Sequence, residues 1–333
     1  MTEAGLLYSN ARIKSMENSL VSPLQMGRLL DCETFSDAVK MLSEFGYAGG
    51  TAADDGVSYE NLLDAERAAA TDFFKENVFK KSGLETMLLP ADWHNLKSAL
   101  KAKYGKVKDL SLLVYQGGNV DLETIEKAAN GDEDAASGLT AEMNETIAAT
   151  RAEFAENPPS GRFIDVVADK AMYREIFAIL KKSSSPCLVK YFALQVDLLN
   201  LKNFYRSKRL RLGKEEFREG FISGGKLKET LFSEGYEMPD EDFAKQIEKV
   251  APEFLKITKV LSEGKIAEAE AMADNMQLKI FKDDRNDMFS VAPIAGFYLA
   301  KLTEIKSVKF ILAAKKNGVD KQQLRVRLRE LYA

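Results

Sequence analysis

Apolar residues along the chain recur at three- and four-residue spacing. Phe163, Val166, Val167, Met172, Tyr173, Ile176, Phe177 and Leu180 mark one such stretch, and Phe243, Ile247, Val250, Phe254, Ile257 and Leu261 another. That spacing gathers side chains on one face of a helix, and no alternating strand-like run with hairpin turns interrupts it. The pattern predicts an all-α fold. Ser22-Pro23 and Ser185-Pro186 each read as an N-cap followed by proline at the first helical position, where the missing N–H has no intrahelical partner to lose. Thr34-Phe35-Ser36-Asp37 has the form of a capping box. Gly318 followed by Asp320-Lys321-Gln322-Gln323 reads as a helix stop and a new start. Segments 48–56, 131–138, 157–161 and 235–240 are rich in Gly, Pro or acidic residues and are expected to be irregular. The acidic, alanine-rich stretch 121–169 is expected to form an exposed helical hairpin.

The helical pattern repeats over a long distance. Asp92-Trp93-His94-Asn95-Leu96-Lys97 returns 105 residues later as Asp197-Leu198-Leu199-Asn200-Leu201-Lys202. A weaker copy, Lys301-Leu302-Thr303-Glu304-Ile305-Lys306, follows after another 104. The pair Gly117-Gly118 recurs as Gly224-Gly225, at a similar distance beyond each motif. Units of tetratricopeptide or ankyrin arrays are about 30–40 residues long, so this period describes a whole small helical domain used three times. The expected segments are 1–107, 108–213 and 214–333. Trp93, Leu96 and Leu100 share one helix face, as do Leu198, Leu201 and Tyr205, and Leu302, Ile305 and Val308. Asp92 with Asn95, and Asp197 with Asn200, lie on a neighbouring face. They are placed to hydrogen-bond across to another helix and fix helix order. The glycine pairs are expected to permit positive φ or a close helix approach.

Composition narrows the chemistry. The chain has 333 residues, 45% of them apolar and 29% charged, with a formal net charge of -4. That balance suits a folded globular protein and is a poor match to whole-chain nucleic-acid binding, which needs a basic surface. Cys32 and Cys187 lack a CxxC partner and read as reduced thiols of a cytosolic protein. His94 is the only histidine, so a Ser-His-Asp triad, a Cys-His pair or a multi-histidine metal site has almost no material to use. The N-terminus lacks a signal-peptide pattern. The longest apolar stretch, 288–300, is broken by Ser290, Pro293 and Gly296 and falls short of the roughly 20 residues a membrane helix requires. Any membrane is met from the water side.

Four features compete with a purely structural reading. Asp283-Asp284-Arg285-Asn286-Asp287 matches DDxxD, the carboxylate spacing with which all-α prenyl-diphosphate synthases hold magnesium against a diphosphate. It keeps a magnesium-dependent enzyme using Asp283, Asp284 and Asp287 as the alternative reading, although no second DDxxD faces it. Its bland counterpart is an exposed acidic loop between helices. Gly220-Phe221-Ile222-Ser223-Gly224-Gly225-Lys226 fits GxxxxGK. However, Leu227 stands where Ser or Thr would ligate magnesium, and no strand precedes the run, so it reads as a helix end and turn. His94 has Leu199 as its counterpart, which makes it a core or interface histidine. The basic runs Lys101, Lys103, Lys106, Lys108 and Lys208, Arg209, Arg211 follow the motif in equivalent places. They are either solvated faces or a rim for acidic groups or anionic headgroups.

Residues along nearly the whole chain carry a resemblance. They are Tyr8-Ser9-Asn10-Ala11-Arg12, segment 29–47 running on to Gly49-Gly50, segment 92–100, and segment 191–197 through Asn200-Leu201-Lys202. Gly224-Gly225-Lys226 and Glu304-Ile305-Lys306-Ser307-Val308 complete the set. In order and in total length they resemble the C subunit of bacterial and archaeal V-type ATPases, whose eukaryotic counterpart is the d subunit. The resemblance implies three similar helical bundles around a pseudo-threefold axis, forming a funnel. The wide side would receive the central stalk axle, and the base would rest on the cytoplasmic loops of the proteolipid ring. It further implies a non-catalytic, peripheral component without cofactor, metal, nucleic-acid partner or small-molecule substrate. Its role would be to transmit torque for proton or sodium transport coupled to ATP hydrolysis or synthesis. The third repeat departs from the pattern, with Lys301 and Glu304 in place of Asp and Asn.

Overall fold

Local signals set several helix starts. The Ser22 hydroxyl accepts the Gln25 N–H at 3.3 Å and the Gln25 side chain accepts the Ser22 N–H at 2.9 Å, a complete capping box behind Pro23. At Thr34 only half the expected box forms. Thr34 Oγ1 accepts the Asp37 N–H, and Asp37 in turn takes the Thr34 hydroxyl rather than its backbone N–H. Ser185 precedes Pro186 as expected but caps nothing with its side chain, because its hydroxyl donates to the Ser82 carbonyl.

The computed structural model describes residues 3–47, 59–105, 114–115, 117–319, 324 and 328–332. Segment 48–56 with Gly49-Gly50, Lys106, Lys108, the boundary after residue 107 and the restart at 320–323 lie outside the described residues. Among the described residues the fold is all-α, with no strand. In chain order the helices are α1 (Glu3–Met16), α2 (Pro23–Asp31), α3 (Phe35–Glu44), α4 (Tyr59–Glu76), α5 (Leu89–Gly105) and α6 (Leu122–Asn130). They continue with α7 (Glu133–Ala136), α8 (Ala141–Glu156), α9 (Gly161–Leu180), α10 (Pro186–Arg209), α11 (Lys214–Gly220) and α12 (Glu229–Gly235). The last are α13 (Asp240–Val250), α14 (Leu255–Ser262), α15 (Ile266–Asp283) and α16 (Ala292–Lys316). Segment 131–138 holds the short α7, so it is less irregular than its composition suggests. None of these helices is long and apolar enough to cross a membrane.

The helices group into two compact units, Met1–Lys80 with Pro239–Ala333, and Lys81–Met238. This grouping differs from three consecutive segments 1–107, 108–213 and 214–333, and packing explains the difference. In the first unit α16 packs chiefly on α4, and also on α1, α2, α3 and α15. Val21, Met26, Leu29, Leu30, Val39 and Leu42 from the start of the chain therefore share one core with Ile305, Val308, Ile311 and Leu312 from its end. Each such side chain contributes roughly 1.5–3 kcal/mol on burial. Phe74 stacks on Tyr298 with centroids 4.2 Å apart, and Phe73 meets Phe297 edge-on at 5.8 Å.

In the second unit α5 packs on α6 and α9. Trp93, Leu96 and Leu100 are fully or almost fully buried there. The stretch 121–169 is not simply an exposed hairpin, because Ile125, Ala128, Ala129, Met143 and Ile147 are buried. Its buried alanines are close-packing positions. A second cluster gathers Phe204 of α10 with Phe217, Phe232 and Tyr236, centroids about 5.6 Å apart.

Candidate functional site

The duplicated motif forms the same local structure twice within the second unit. Asn95 Oδ1 accepts the Tyr115 N–H at 2.7 Å while Asn95 Nδ2 donates to the Tyr115 carbonyl at 2.8 Å. Asn200 does the same with Ile222, at 3.0 and 2.8 Å. The aspartate one helical turn earlier takes the next part of the loop. Asp92 accepts the N–H groups of Asn119 and Val120, both at 3.0 Å, and the Asn119 side-chain amide at 2.9 Å. Asp197 accepts the N–H groups of Lys226 and Leu227, both at 2.8 Å. All four side chains are buried. Their expected partner was another helix. The actual partner is the backbone of the loop that follows the same motif helix.

The glycine pairs make this clamp possible. Gly117 has φ +94° and Gly224 has φ +122°, conformations that L side chains rarely adopt. Gly118 and Gly225 serve close approach, to a carboxylate rather than to a helix. A Cβ on Gly118 would lie 1.9 Å from Asp92 Oδ1, and one on Gly225 would lie 2.1 Å from Asp197 Oδ1. The aspartates can reach the amides only because these two positions carry no side chain.

Leu96 and Leu201 anchor the motif helices in the core and are completely buried. Lys97 pairs with Asp169 at 2.6 Å, and one turn on Lys101 pairs with Asp165 at 2.6 Å, so two ion pairs bridge α5 and α9. Partly exposed pairs of this kind are worth about 0.2–1 kcal/mol each. Lys202, the counterpart of Lys97, lines a groove of about 520 Å³ with Leu199, Asp169, Asn203 and Arg206. The sequence alone missed Tyr115 and Ile222, which contribute only backbone, and the two aspartates of α9.

The competing features have structural fates. Lys226 of the GxxxxGK match spends its N–H on Asp197, as does Leu227. Asp283 pairs with Lys279 at 2.7 Å, and Asp287 Oδ1 accepts the Phe289 N–H at 3.1 Å, so the DDxxD run is a capped turn between α15 and α16. No group of three His, Cys, Asp or Glu residues among the described residues is placed to hold a metal ion. His94 stacks on Tyr115 at 3.8 Å. In the basic runs Lys103 donates to the Ala129 carbonyl and Lys208 to the Met238 carbonyl, which ties both to their own unit.

Trp93 brings a perturbed acid to the site. Its indole N–H donates to Glu175 Oε2 at 2.8 Å. Burial pushes the Glu175 carboxyl above the usual carboxylate range, and nearby Glu142 and Asp92 add to this, while hydrogen bonds from Trp93 and Thr140 oppose it.

The third motif helix carries no such Asp-Asn clamp. Glu304 accepts the Val21 N–H at 2.6 Å and the Tyr47 hydroxyl at 2.6 Å. Lys301 bonds Glu304 at 2.8 Å and Glu66 at 2.6 Å.

Sequence comparison extends over the same full length. The family model for the ATP synthase (C/AC39) subunit matches residues 9–327. The C subunit of the A-type ATP synthase of Methanosphaera stadtmanae is 25% identical, over 93% of this chain and 84% of the relative. The namesake from Thermococcus kodakarensis is 21% identical over 96% and 88%. The C subunit of the V-type ATP synthase of Thermus thermophilus is 26% identical over 66% and 68%.

Proposed function

The chain belongs to the ATP synthase (C/AC39) subunit family, and on that footing we propose that it is a non-catalytic adapter in a rotary ATPase of the A/V type. It seats the central stalk axle on the proteolipid ring from the cytoplasmic side and passes torque between them. Three similar helical bundles in pseudo-threefold arrangement, together forming a funnel, belong to this proposal. So does a coupling to ion transport in which axle and ring are the partners, without nucleic acid or a small-molecule substrate.

The observation that carries the reading is the state of the duplicated motif. Its buried aspartates and asparagines hold the backbone of their own loops. A catalytic carboxylate must keep a face open to substrate; these have theirs occupied by amides. Polar groups spent in this way fix one loop geometry and rigidify the packed helices around it. That suits a part that must resist deformation under load. Contacts spread over several bundles then share the torque, so no single surface residue is indispensable.

Size-exclusion chromatography with purified axle subunits, then with detergent-solubilised proteolipid ring, tests the proposal. Co-elution with both supports the bridge. Failure with both, using folded components at micromolar concentration, sinks it. Magnesium-dependent release of diphosphate from a prenyl substrate, lost in Asp283→Ala and Asp287→Ala, would restore the enzyme reading.

A further inference from the structure

In the first two repeats the motif helix is followed by its clamped loop and then by a short helix. Counting from its first residue, α6 buries its fourth, seventh and eighth positions, Ile125, Ala128 and Ala129. The same count from the start of α12 gives Phe232, Gly235 and Tyr236, all buried. α2, near the chain's beginning, buries the same places with Met26, Leu29 and Leu30. The next helix agrees with the second copy alone, since α7 of the first buries none of its residues. α3 buries its fourth, fifth and eighth residues, Ala38, Val39 and Leu42. α13 buries Phe243, Ala244 and Ile247 at the same places.

The polar contacts agree as well. Glu304 stands in α16 where Asn95 and Asn200 stand in α5 and α10. It accepts the Val21 N–H as they accept those of Tyr115 and Ile222. α6 and α12 begin seven residues after the clamped residue, whereas α2 begins two residues after Val21. The missing stretch is the glycine loop whose amides the aspartate holds. Lys301, in the aspartate's place, offers only donors and could not hold it.

We infer that residues 21–44 are the third copy of the loop-and-helix unit, supplied from the opposite end of the chain. The array of repeats is circularly permuted, and Glu304 is the receptor that docks its first piece onto its last helix. The segment completes the third repeat, and it covers Ile305, Val308, Ile311 and Leu312 of the shared core. This reading rests on the threefold repeat that the adapter proposal includes, but not on axle and ring as partners.

The test is a nicked chain. A site-specific protease sequence inserted between residues 48 and 58 separates the N-terminal fragment covalently from the rest. The expected result is that the nicked fragment co-elutes with the remainder on size exclusion. Glu304→Gln, which halves the acceptor capacity, should raise the fragment's dissociation constant by about ten- to hundredfold. Asn200→Ala, in the other unit, should leave it unchanged. Glu304→Ala extends the series, with far-UV circular dichroism confirming that the large fragment stays folded. Dissociation on nicking with Glu304 intact overturns the inference, as does an unchanged dissociation constant in Glu304→Gln.

Discussion

The clamp at Asp197 and Asn200 and the knot at Lys301 and Glu304 sit at matching places in α10 and α16, yet they hold backbone by different means. Asn200 is neutral and both donates and accepts, so it ties the N–H and the carbonyl of one residue, Ile222. Glu304 only accepts, so it gathers two separate donors, the Val21 N–H and the Tyr47 hydroxyl. A buried carboxylate needs charge compensation, and Lys301 supplies it. Burial alone would lower the Lys301 ammonium, but the carboxylates of Glu304 and Glu66 outweigh it and hold it above the usual lysine range. Burial, then the same two carboxylates, pushes the Tyr47 phenol far above its ordinary range, so it stays a donor. One helix position can thus fasten a neighbouring segment through a neutral amide or through a charge network. The two solutions differ in how they fail.

The largest expected effect breaks the charged solution. Lys301→Ala leaves Glu304 and Glu66 facing each other in a buried site, and its cost is about 3–5 kcal/mol. Urea denaturation measures it. The double variant Lys301→Met with Glu304→Gln should recover a substantial part of that loss, because Glu304, the more deeply buried of the two carboxylates, is neutralised along with the removal of its counter-charge. Equal losses in the single and double variants would show that packing, not charge balance, holds the chain ends.

Next comes the neutral solution. Asp197→Ala leaves the N–H groups of Lys226 and Leu227 without their carboxylate, with an expected loss of about 2–4 kcal/mol. Hydrogen exchange should then accelerate selectively at those two amides. Global acceleration with no local excess would mean that the clamp does not act locally.

This difference between the copies also explains what could be read in advance. Helical spacing, the Pro23 and Pro186 starts and the buried faces of Trp93-Leu96-Leu100 follow from side chains three and four residues apart, which a sequence displays directly. The Asp-Asn motif and the glycine pairs were visible as repeats because both partners of each clamp recur in order. The clamp's geometry was hidden because half of it is backbone, and backbone amides leave no signature at Tyr115 or Ile222. The third copy was hidden for a further reason. Its receptor is near the end of the chain and its loop near the beginning, with 283 residues between Val21 and Glu304. A linear scan for repeats finds no glycine pair at the matching distance beyond the third motif, and boundaries drawn along the chain do not display the core shared by the two ends.

A smaller effect separates the glycines by role. Gly224→Ala would place a Cβ 2.2 Å from the Phe177 ring in a backbone conformation with φ +122°. The expected loss is about 1–3 kcal/mol. Gly220, the first glycine of the GxxxxGK match, has nothing within 4 Å of its Cβ position and no positive φ. Gly220→Ala should be neutral or stabilising by up to about 1 kcal/mol, since it ends α11. Comparing thermal midpoints of the two variants isolates the clamp from the accident of a shared sequence pattern.

The smallest effect distinguishes the first copy from the second. Trp93 has Leu198 as its counterpart, so only the first copy couples a titrating carboxyl to an indole. The Glu175 pKa is raised in the folded state, which means the folded protein binds its proton more tightly than the unfolded chain does. Its protonated form therefore stabilises fully below the ordinary carboxylate pKa, and that contribution is lost as pH rises through the higher folded value. Trp93 is the only tryptophan, so its emission reports this one site. The emission should shift with pH in a single step above the ordinary carboxylate range. Glu175→Gln, which resembles the protonated acid, should remove the step and leave stability less dependent on pH across the same window. A step that persists in Glu175→Gln would assign the titration to another group and leave the two copies equivalent in their response to pH.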